Sequence, residues 1–385
     1  MTTTVDFGYV PLLDAAPLIL AEELGFAAEE RLHFRLHPAQ SWSQLRDMVA
    51  LGRVDAAQML SVIPVAGRLG LGGVPVQFDA PMVLSLGGQV IGVSPALAEE
   101  LRMNGMHADF TDATALREAM RRTRPDGLRC GVPFPFSMHH ELLHLWLDGA
   151  VRLSAVTVPP SLTADALAAG EIEAFCVGEP WGSHAVMRGH AVLLLPGTAI
   201  WSAAPEKVLV MRKGWAEDHG DLAGQILRAI WRCCQWLAQP GSWSTASDLL
   251  ARSNALNVDA ELIERAMSGH LVPALNAAAV DSPGFVEFHA GAANFPWRSQ
   301  AAWIGWHLAR RNGLDPVESA RRAAECWRPD LFRQHLAGDA VLPAASAKVE
   351  GANATPILAG ANRGAVLLGR NAFFDGRNFD LSALS

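Results

Sequence analysis

The 385-residue sequence has few features that mark catalysis or membrane insertion. It contains no C-x-x-C pair, no Gly-x-Ser-x-Gly elbow and no Walker A loop. Its longest apolar runs, such as the one at 191–196, fall far short of the ~20 residues that span a bilayer. Thirty-one basic residues against thirty-nine acidic ones give a net charge of -8, which opposes non-specific binding to nucleic acid or anionic lipid. We therefore expect no direct nucleic-acid contact and no membrane contact.

The N-terminal segment and the cysteines both bear on the cellular compartment. No lysine or arginine precedes Arg31, and no apolar segment ends in a small-residue cleavage site, so no export signal is expected. The five cysteines are odd in number and include the adjacent pair Cys233 and Cys234, which is typical of reduced thiols. These features predict a cytoplasmic protein whose cysteines serve as small buried hydrophobic residues.

Short apolar runs alternate with helical patterns from the N-terminus, which indicates an α/β fold. A helix is predicted to begin at Trp42, because Ser41 and Gln44 have the spacing of a capping box. After residue 213 the sequence is mainly helical. The predicted strands are 5–10, 33–37, 54–60, 89–94, 128–134, 155–160, 173–178, 191–196 and 207–212.

This order predicts two lobes that close on each other like a clamp. The first lobe is expected to be discontinuous, with residues 1–88 and 213–385, and the second to be inserted as residues 89–212, with approximate boundaries. In such sheets ligands bind beyond the carboxyl ends of the strands. The cleft is therefore expected where strands turn into helices.

One segment suggests a different class of protein. Residues 140–144 read His-Glu-Leu-Leu-His, an H-E-x-x-H pattern that on a helix places two imidazoles one turn apart for zinc. No Gly-x-x-His follows to complete a metzincin pattern, although Glu171 could serve as a distant third ligand. A zinc-dependent hydrolase is therefore an alternative, against a helix in which one histidine merely lines a cleft.

Several segments in order resemble the nitrate- and bicarbonate-binding (NrtA/CmpA-like) substrate-binding proteins of ABC importers. They are FGYVPLLDAAPLILAEELGF, AQSWSQLRDMVALGRVDAAQML, FCVGEPW, APEKVL, NFPWRSQAAW and FFDGRNFD. This resemblance implies the type II periplasmic-binding-protein fold, which agrees with the clamp inferred from the strand order. It also implies a binding protein without catalysis, cofactor or metal.

Within that family, the sequence is most similar to one branch, the cytoplasmic nitrate/nitrite sensors of the NasS type. The stretches PWRSQAAW and ASAKVEG resemble this branch. The resemblance implies that the chain holds a NasT-like RNA-binding antiterminator inactive until nitrate or nitrite binds, which controls nitrate assimilation genes. The substrate-binding component of a nitrate ABC importer is the alternative within the family.

The family's anion pocket can be carried over to six positions of this sequence. They are Trp42 in QSWSQLRD, Gln89 in GGQVI, His139 seven residues before Trp146, Pro160 at the end of a strand, Gly178 in CVGEPW, and Lys207 in APEK. The chain between the histidine and Pro160 is shorter than in the family, so either His139 or His140 could face the cleft.

These residue types suit nitrate, which accepts hydrogen bonds at three oxygens and donates none. The pocket is therefore expected to consist of donors, with Lys207 as its charged member. Bicarbonate carries a proton and needs an acceptor, so Lys207 favours nitrate or nitrite. Glu179 would disturb such a pocket if its carboxylate turned inward, but we expect it to face away.

Overall fold

A computed structural model describes residues 2–384 except 74, 107–109, 253–255 and 257. The strands are β1 (Thr3–Tyr9), β2 (Leu32–Pro38), β3 (Ala56–Leu60), β4 (Phe78–Gly87), β5 (Gln89–Val93), β6 (Leu128–Val132), β7 (Leu153–Thr157), β8 (Ala174–Gly178), β9 (Val192–Pro196) and β10 (Pro205–Arg212). Shorter strands follow as β11 (His270–Leu271), β12 (Val280–Asp281), β13 (Val286–Glu287), β14 (Ala352–Asn353), β15 (Ile357–Gly360), β16 (Ala365–Leu368) and β17 (Asn371–Ala372).

Helices cover both faces of the sheets and dominate the C-terminal half. They are α1 (Ala16–Glu23), α2 (Phe26–Glu29), α3 (Trp42–Ala50), α4 (Val62–Arg68), α5 (Pro95–Met103), α6 (Ala113–Thr123), α7 (Met138–Leu147), α8 (Thr163–Ala168), α9 (Trp181–Met187), α10 (Trp215–Asp218), α11 (Gly220–Leu237), α12 (Trp243–Arg252), α13 (Ala260–Ser268), α14 (Arg298–Asn312), α15 (Pro316–Ala324) and α16 (Pro329–Leu336). Within the described ranges, no helix has the length and apolar content that a bilayer crossing requires.

Two sheets form the centres of the two lobes. The first has six strands in the order β13-β4-β10-β3-β1-β2, with β1 parallel to β2 and β3. The second has the order β7-β6-β8-β5-β9. Central strands such as β3 and β8 are buried at every residue, because helices cover both faces of each sheet. The α/β class expected from the alternating pattern is confirmed.

The chain crosses between the lobes twice, from β4 to β5 and from β9 to β10. The expected second lobe, 89–212, included the strand now seen as β10. That part of the prediction is wrong, because β10 pairs antiparallel with β3 and β4 inside the first sheet. Its apolar residues complete the middle of that sheet, so the second crossing lies between Pro196 and Pro205.

The beginning of α3 follows the predicted capping pattern. The Ser41 hydroxyl accepts a hydrogen bond from the backbone N–H of Gln44 at 3.2 Å. The Gln44 side chain accepts from the backbone N–H of Gln40 at 2.8 Å, one residue before the cap. These two bonds satisfy backbone donors at the helix start and fix Trp42 in the first turn.

The two lobes touch each other across the cleft. The backbone N–H of Leu13 donates to the carbonyl of Glu179 at 3.1 Å. The indole N–H of Trp181 donates to the carbonyl of Pro11 at 3.3 Å. Both bonds join the segment after β1 to the segment after β8, so the structure shows the clamp closed.

Candidate functional site between the lobes

Lys207 is the centre of a buried polar cluster. It lies on β10, its side chain is fully buried, and its Nζ donates to Asp14 Oδ2 at 2.6 Å and to Glu206 Oε1 at 2.7 Å. Asp14 sits in the short turn that follows β1, and it is 3% exposed. A fully buried ammonium therefore has two carboxylate partners, one of them from a segment distant in sequence.

A third polar side chain holds Asp14 in place. Gln58, on the buried strand β3, donates from Nε2 to Asp14 Oδ1 at 2.5 Å. Its own Oε1 accepts from the backbone N–H of Val10 at 3.1 Å. Because both ends of the amide are used, the Asp14 carboxylate has a fixed orientation toward Lys207.

Burial and the neighbouring charges shift the pKa values of this cluster in opposite directions. Desolvation raises the pKa of Asp14 and of Glu206, while Lys207 opposes that rise. Desolvation alone would lower the pKa of Lys207, but the two carboxylates outweigh it and raise this pKa. Lys207 is therefore charged, and a proton is taken up by the carboxylate pair more readily than in water.

Trp42 closes one side of the cluster. Its ring centroid lies 5.2 Å from Lys207 Nζ, within the range of a cation–π contact. The side chain is 2% exposed, and its indole N–H has no hydrogen-bond partner in the described part of the chain. Such a buried donor without a protein partner is uncommon, and it is available to an anion in the cleft.

His139 approaches from the second lobe. It lies in the first turn of α7, after the N-cap Ser137, and its Nδ1 is 3.3 Å from Glu206 Oε1. Desolvation and Lys207 hold the pKa of His139 well below its ordinary value, so the ring is neutral and can donate from one nitrogen. Neither ring nitrogen makes a regular hydrogen bond with the described residues. His139, not His140, faces the cluster.

Gly178 and Gln89 stand opposite each other on β8 and β5. A Cβ on Gly178 would lie 3.0 Å from Leu12 Cδ2 and 3.8 Å from His139 Nε2, so glycine leaves more room for a ligand to approach the backbone here. Gln89 is fully buried, and both its amide oxygen and its amide nitrogen lack partners among the residues described.

Pro160 is the sequence-predicted residue that the structure does not bring to the cluster. It is half-buried and begins a 3-10 turn after β7, an edge strand that β6 separates from β8. The other five predicted residues converge around Lys207 or pair directly with a residue that does. A role for Pro160 stays a prediction.

The expectation that the pocket consists of donors is wrong. Asp14 and Glu206 bring two carboxylates to Lys207, and Glu206 Oε2 is buried without a partner in the described chain. The sequence contains a signal for Asp14 and Gln58 as site residues, since each is a polar residue inside an apolar segment. Glu206 could have been noted as the direct neighbour of Lys207.

Glu179 does not point into this cluster. Its two carboxylate oxygens each accept from the backbone N–H of Ser183 at 3.1 Å, in the first turn of the helix α9 that follows it. Desolvation raises its pKa to about 7, against the hydrogen bonds from Ser183. The prediction that it faces away is confirmed.

The H-E-x-x-H segment lies on α7, as its pattern predicted. The Nε2 atoms of His140 and His144 are 3.0 Å apart. The carboxylate of Glu141 is buried and pairs with Arg311 of α14, so it is not directed at a position between the imidazoles. Among the described residues, no group of three or more histidines, cysteines or acids is arranged to hold a metal ion. The segment has the spacing of a zinc hydrolase without its third ligand or its free base.

Two α/β lobes, two strand crossings and a polar cluster between the lobes define a type II periplasmic-binding-protein fold. Solved structures of the same architecture agree. The periplasmic nitrate-binding protein NrtA from Synechocystis PCC 6803 aligns over 100% of this chain and 99% of its own, with a TM-score of 0.82 and 24% identity. A ligand-binding component of an ABC-type import system from Staphylococcus aureus aligns over 87% and 99%, with a TM-score of 0.65 and 16% identity.

The chain belongs to the NMT1-like family, which matches residues 1–251. The nitrate import ATP-binding protein NrtC of Synechocystis is 31% identical over 85% of this chain and 49% of that protein. The nitrate/nitrite binding protein NrtA of Nostoc is 28% identical over 98% of this chain and 83% of that protein. The chain spans about half the length of NrtC and of the bicarbonate transport ATP-binding protein CmpC of Synechococcus elongatus, of which it covers 49% and 45%.

Proposed function

We propose that this chain binds nitrate or nitrite in the closed cleft at Lys207. The observation that carries the proposal is a set of buried donors without partners: two lie at the Lys207 cluster, and the third is on the residue that pairs with Gly178. The indole of Trp42, the amide of Gln89 and the ring of His139 supply these donors. The names of the NrtA relatives, which are nitrate/nitrite binding proteins, support the same ligand class.

The protonation state of Asp14 and Glu206 determines whether the cluster attracts or repels an anion. With Asp14 and Glu206 both ionised, Lys207 leaves the cluster with a net negative charge that repels nitrate. One proton on the carboxylate pair makes it neutral, and burial favours that proton. A protonated Glu206 would turn its free Oε2 into one more donor for the anion.

Bicarbonate is the second candidate, because one observation favours it. If Glu206 is ionised, its buried and unpartnered Oε2 is an acceptor that suits the bicarbonate hydroxyl. Several relatives are named as bicarbonate transport proteins, which supports testing this ligand.

The variant Glu206→Gln separates the two ligands. The amide oxygen of the glutamine can still accept from Lys207. Its NH₂ group takes the place of the unpartnered Oε2 and donates a hydrogen bond, as the O–H of a protonated Glu206 would. Isothermal titration with nitrate, nitrite and bicarbonate should show nitrate or nitrite binding that survives in the variant within a few-fold. Bicarbonate binding by the parent that the variant loses would favour the second candidate. No binding of any of the three anions would contradict the site.

We further propose that the chain is a cytoplasmic nitrate/nitrite sensor of the NasS type, with a NasT-like antiterminator as its partner. The support is the resemblance of residues 296–303 and 345–351 to that branch. These stretches form one packed unit: Lys348 N donates to Ser299 Oγ at 3.1 Å, and Ser299 Oγ donates to Glu350 Oε1 at 2.6 Å. The competing function is the substrate-binding component of a nitrate importer.

The sensor proposal predicts reciprocal coupling between anion and partner. If the partner binds the open clamp, nitrate favours the closed form, and each ligand lowers the affinity for the other by the same factor. Size-exclusion runs with the antiterminator across nitrate concentrations should show a complex that dissociates. Trp42→Ala should keep the complex and lose the response, whereas the control Trp306→Ala should respond normally.

Two results would overturn the sensor proposal. One is a wild-type complex that persists at saturating nitrate and nitrite. The other is nitrate binding without any complex at any nitrate concentration, which would favour the importer component. Both outcomes leave the anion site itself intact, because titration measures that site separately.

A further inference from the structure

A second cavity, of about 370 Å³, lies where the chain crosses between the lobes. Leu86, at the end of β4, and Thr198, after β9, line it from the two crossings. Most of the other walls come from residues 281–300, from the C-terminal segment 348–370 and from the crossing at 196–203, with 110–111 completing the lining. Lys207, Trp42 and Gln89 are not part of its lining, so this cavity is separate from the cleft. Its volume lies within the range of small-molecule sites.

Two cations line this cavity: Lys348 has a loose ion pair, and Arg370 has no ion pair among the described residues. Lys348 Nζ lies 4.9 Å from the Trp297 ring centroid and 3.9 Å from Glu350 Oε2. Glu350 is already occupied, since it accepts from the Ser299 hydroxyl and from Asn371 Nδ2 at 2.9 Å. Arg370 is exposed at the rim, and no ion pair to it is seen among the described residues. Burial lowers the pKa of Lys348, and Glu350 opposes this.

The acidic residues of the lining are engaged elsewhere. Asp281 pairs with His270 at 2.7 Å and is strongly exposed. Glu287 Oε1 accepts from the backbone N–H groups of His289 and Ala290, at 2.9 and 2.7 Å. Neither carboxylate is paired with Lys348 or Arg370 in the described part of the chain.

Gln300 supplies a buried hydrogen-bond acceptor to this cavity. It lies in the first turn of α14, lines the cavity and is 1% exposed. Its Nε2 donates to the carbonyl of Ala203 at 3.2 Å, which fixes the amide, while its Oε1 has no partner in the described ranges. A buried amide oxygen left in this way needs a donor.

We propose that this cavity is a second ligand site, for a small organic carboxylate that also carries a hydroxyl or amino donor. The carboxylate would bind Lys348 and Arg370, and the donor would bind Gln300 Oε1. Trp297 and Leu86 supply apolar walls for the carbon skeleton. The site does not depend on the nitrate function of the cleft.

The test is isothermal titration of the intact chain at saturating nitrate, with L-malate, L-glutamate, succinate and inorganic phosphate as probes. Malate or glutamate should bind, and more tightly than succinate, which has no donor for Gln300. Lys348→Gln and Arg370→Gln should each weaken that binding at least tenfold. The control Arg310→Gln, at an exposed position of α14 outside the cavity, should leave it unchanged.

Three results would overturn the proposal. They are the absence of binding by every probe, phosphate binding as tight as that of the carboxylates, and carboxylate binding that Arg370→Gln leaves unchanged. Arg370 is exposed, so its variant is expected to fold even if Lys348→Gln is destabilised. Thermal unfolding of each variant checks this.

Discussion

Replacing Lys207 by glutamine tests the electrostatic account of the cleft most directly. The ammonium is fully buried and bonds to Asp14 at 2.6 Å and Glu206 at 2.7 Å. Removing one partner of a buried ion pair costs about 3–5 kcal/mol, because the remaining charge has neither water nor counter-charge. Glutamine keeps two N–H donors in a similar volume, so we expect the lower end of that range.

The same substitution should reduce anion binding. A charge-assisted hydrogen bond contributes about 1.5–3 kcal/mol, so the loss corresponds to roughly 10- to 150-fold in affinity for nitrate. Urea unfolding gives the stability, and isothermal titration gives the affinity. The two measurements are independent, since a folded variant can still fail to bind.

A double variant separates charge from packing. Adding Glu206→Gln to Lys207→Gln removes one of the two carboxylates, so most of the stability lost in the single variant should return. The reasoning is refuted if Lys207→Gln unfolds within about 1 kcal/mol of the parent. It is equally refuted if the double variant is less stable than the single one.

Three further predictions concern other groups of the molecule. His139→Ala should weaken nitrate binding and His144→Ala should not, because His139 alone of the two lies against Glu206; equal losses together with stoichiometric zinc in the parent would favour the H-E-x-x-H site. Because burial raises the pKa of Glu179 from 4.5 to about 7, its contribution to stability should be complete below pH 4.5 and fall by about 3 kcal/mol as the pH rises to about 7. Glu179→Gln should remove that fall, and urea midpoints that track the parent at every pH would contradict the assignment. Ser41→Ala should cost about 1 kcal/mol of unfolding free energy by removing the cap of α3, measured by urea denaturation, and an unchanged midpoint would show that the cap contributes nothing.

The sequence predicted the local features of this protein well, because they depend on residues that are neighbours in the chain. The cap at Ser41 needs only the backbone N–H of Gln44, three positions away. The strand ending at Gly178 is a short apolar run that its own composition defines. Five of the six pocket residues taken from the family resemblance lie at the cluster or directly beside it, since each is at or near the end of a strand or helix that faces the cleft.

Tertiary structure decided the charge of the site. Asp14 and Lys207 are 193 positions apart, and no periodicity relates them. They meet because β10 returns to the first sheet beside β3, which also corrected the expected end of the second lobe. Burial then couples the protonation of Asp14 and Glu206 to Lys207, and burial is a property of the closed clamp as a whole. The chain by itself therefore determined where donors stand along the sequence, whereas only the packed lobes determined that two carboxylates stand among them.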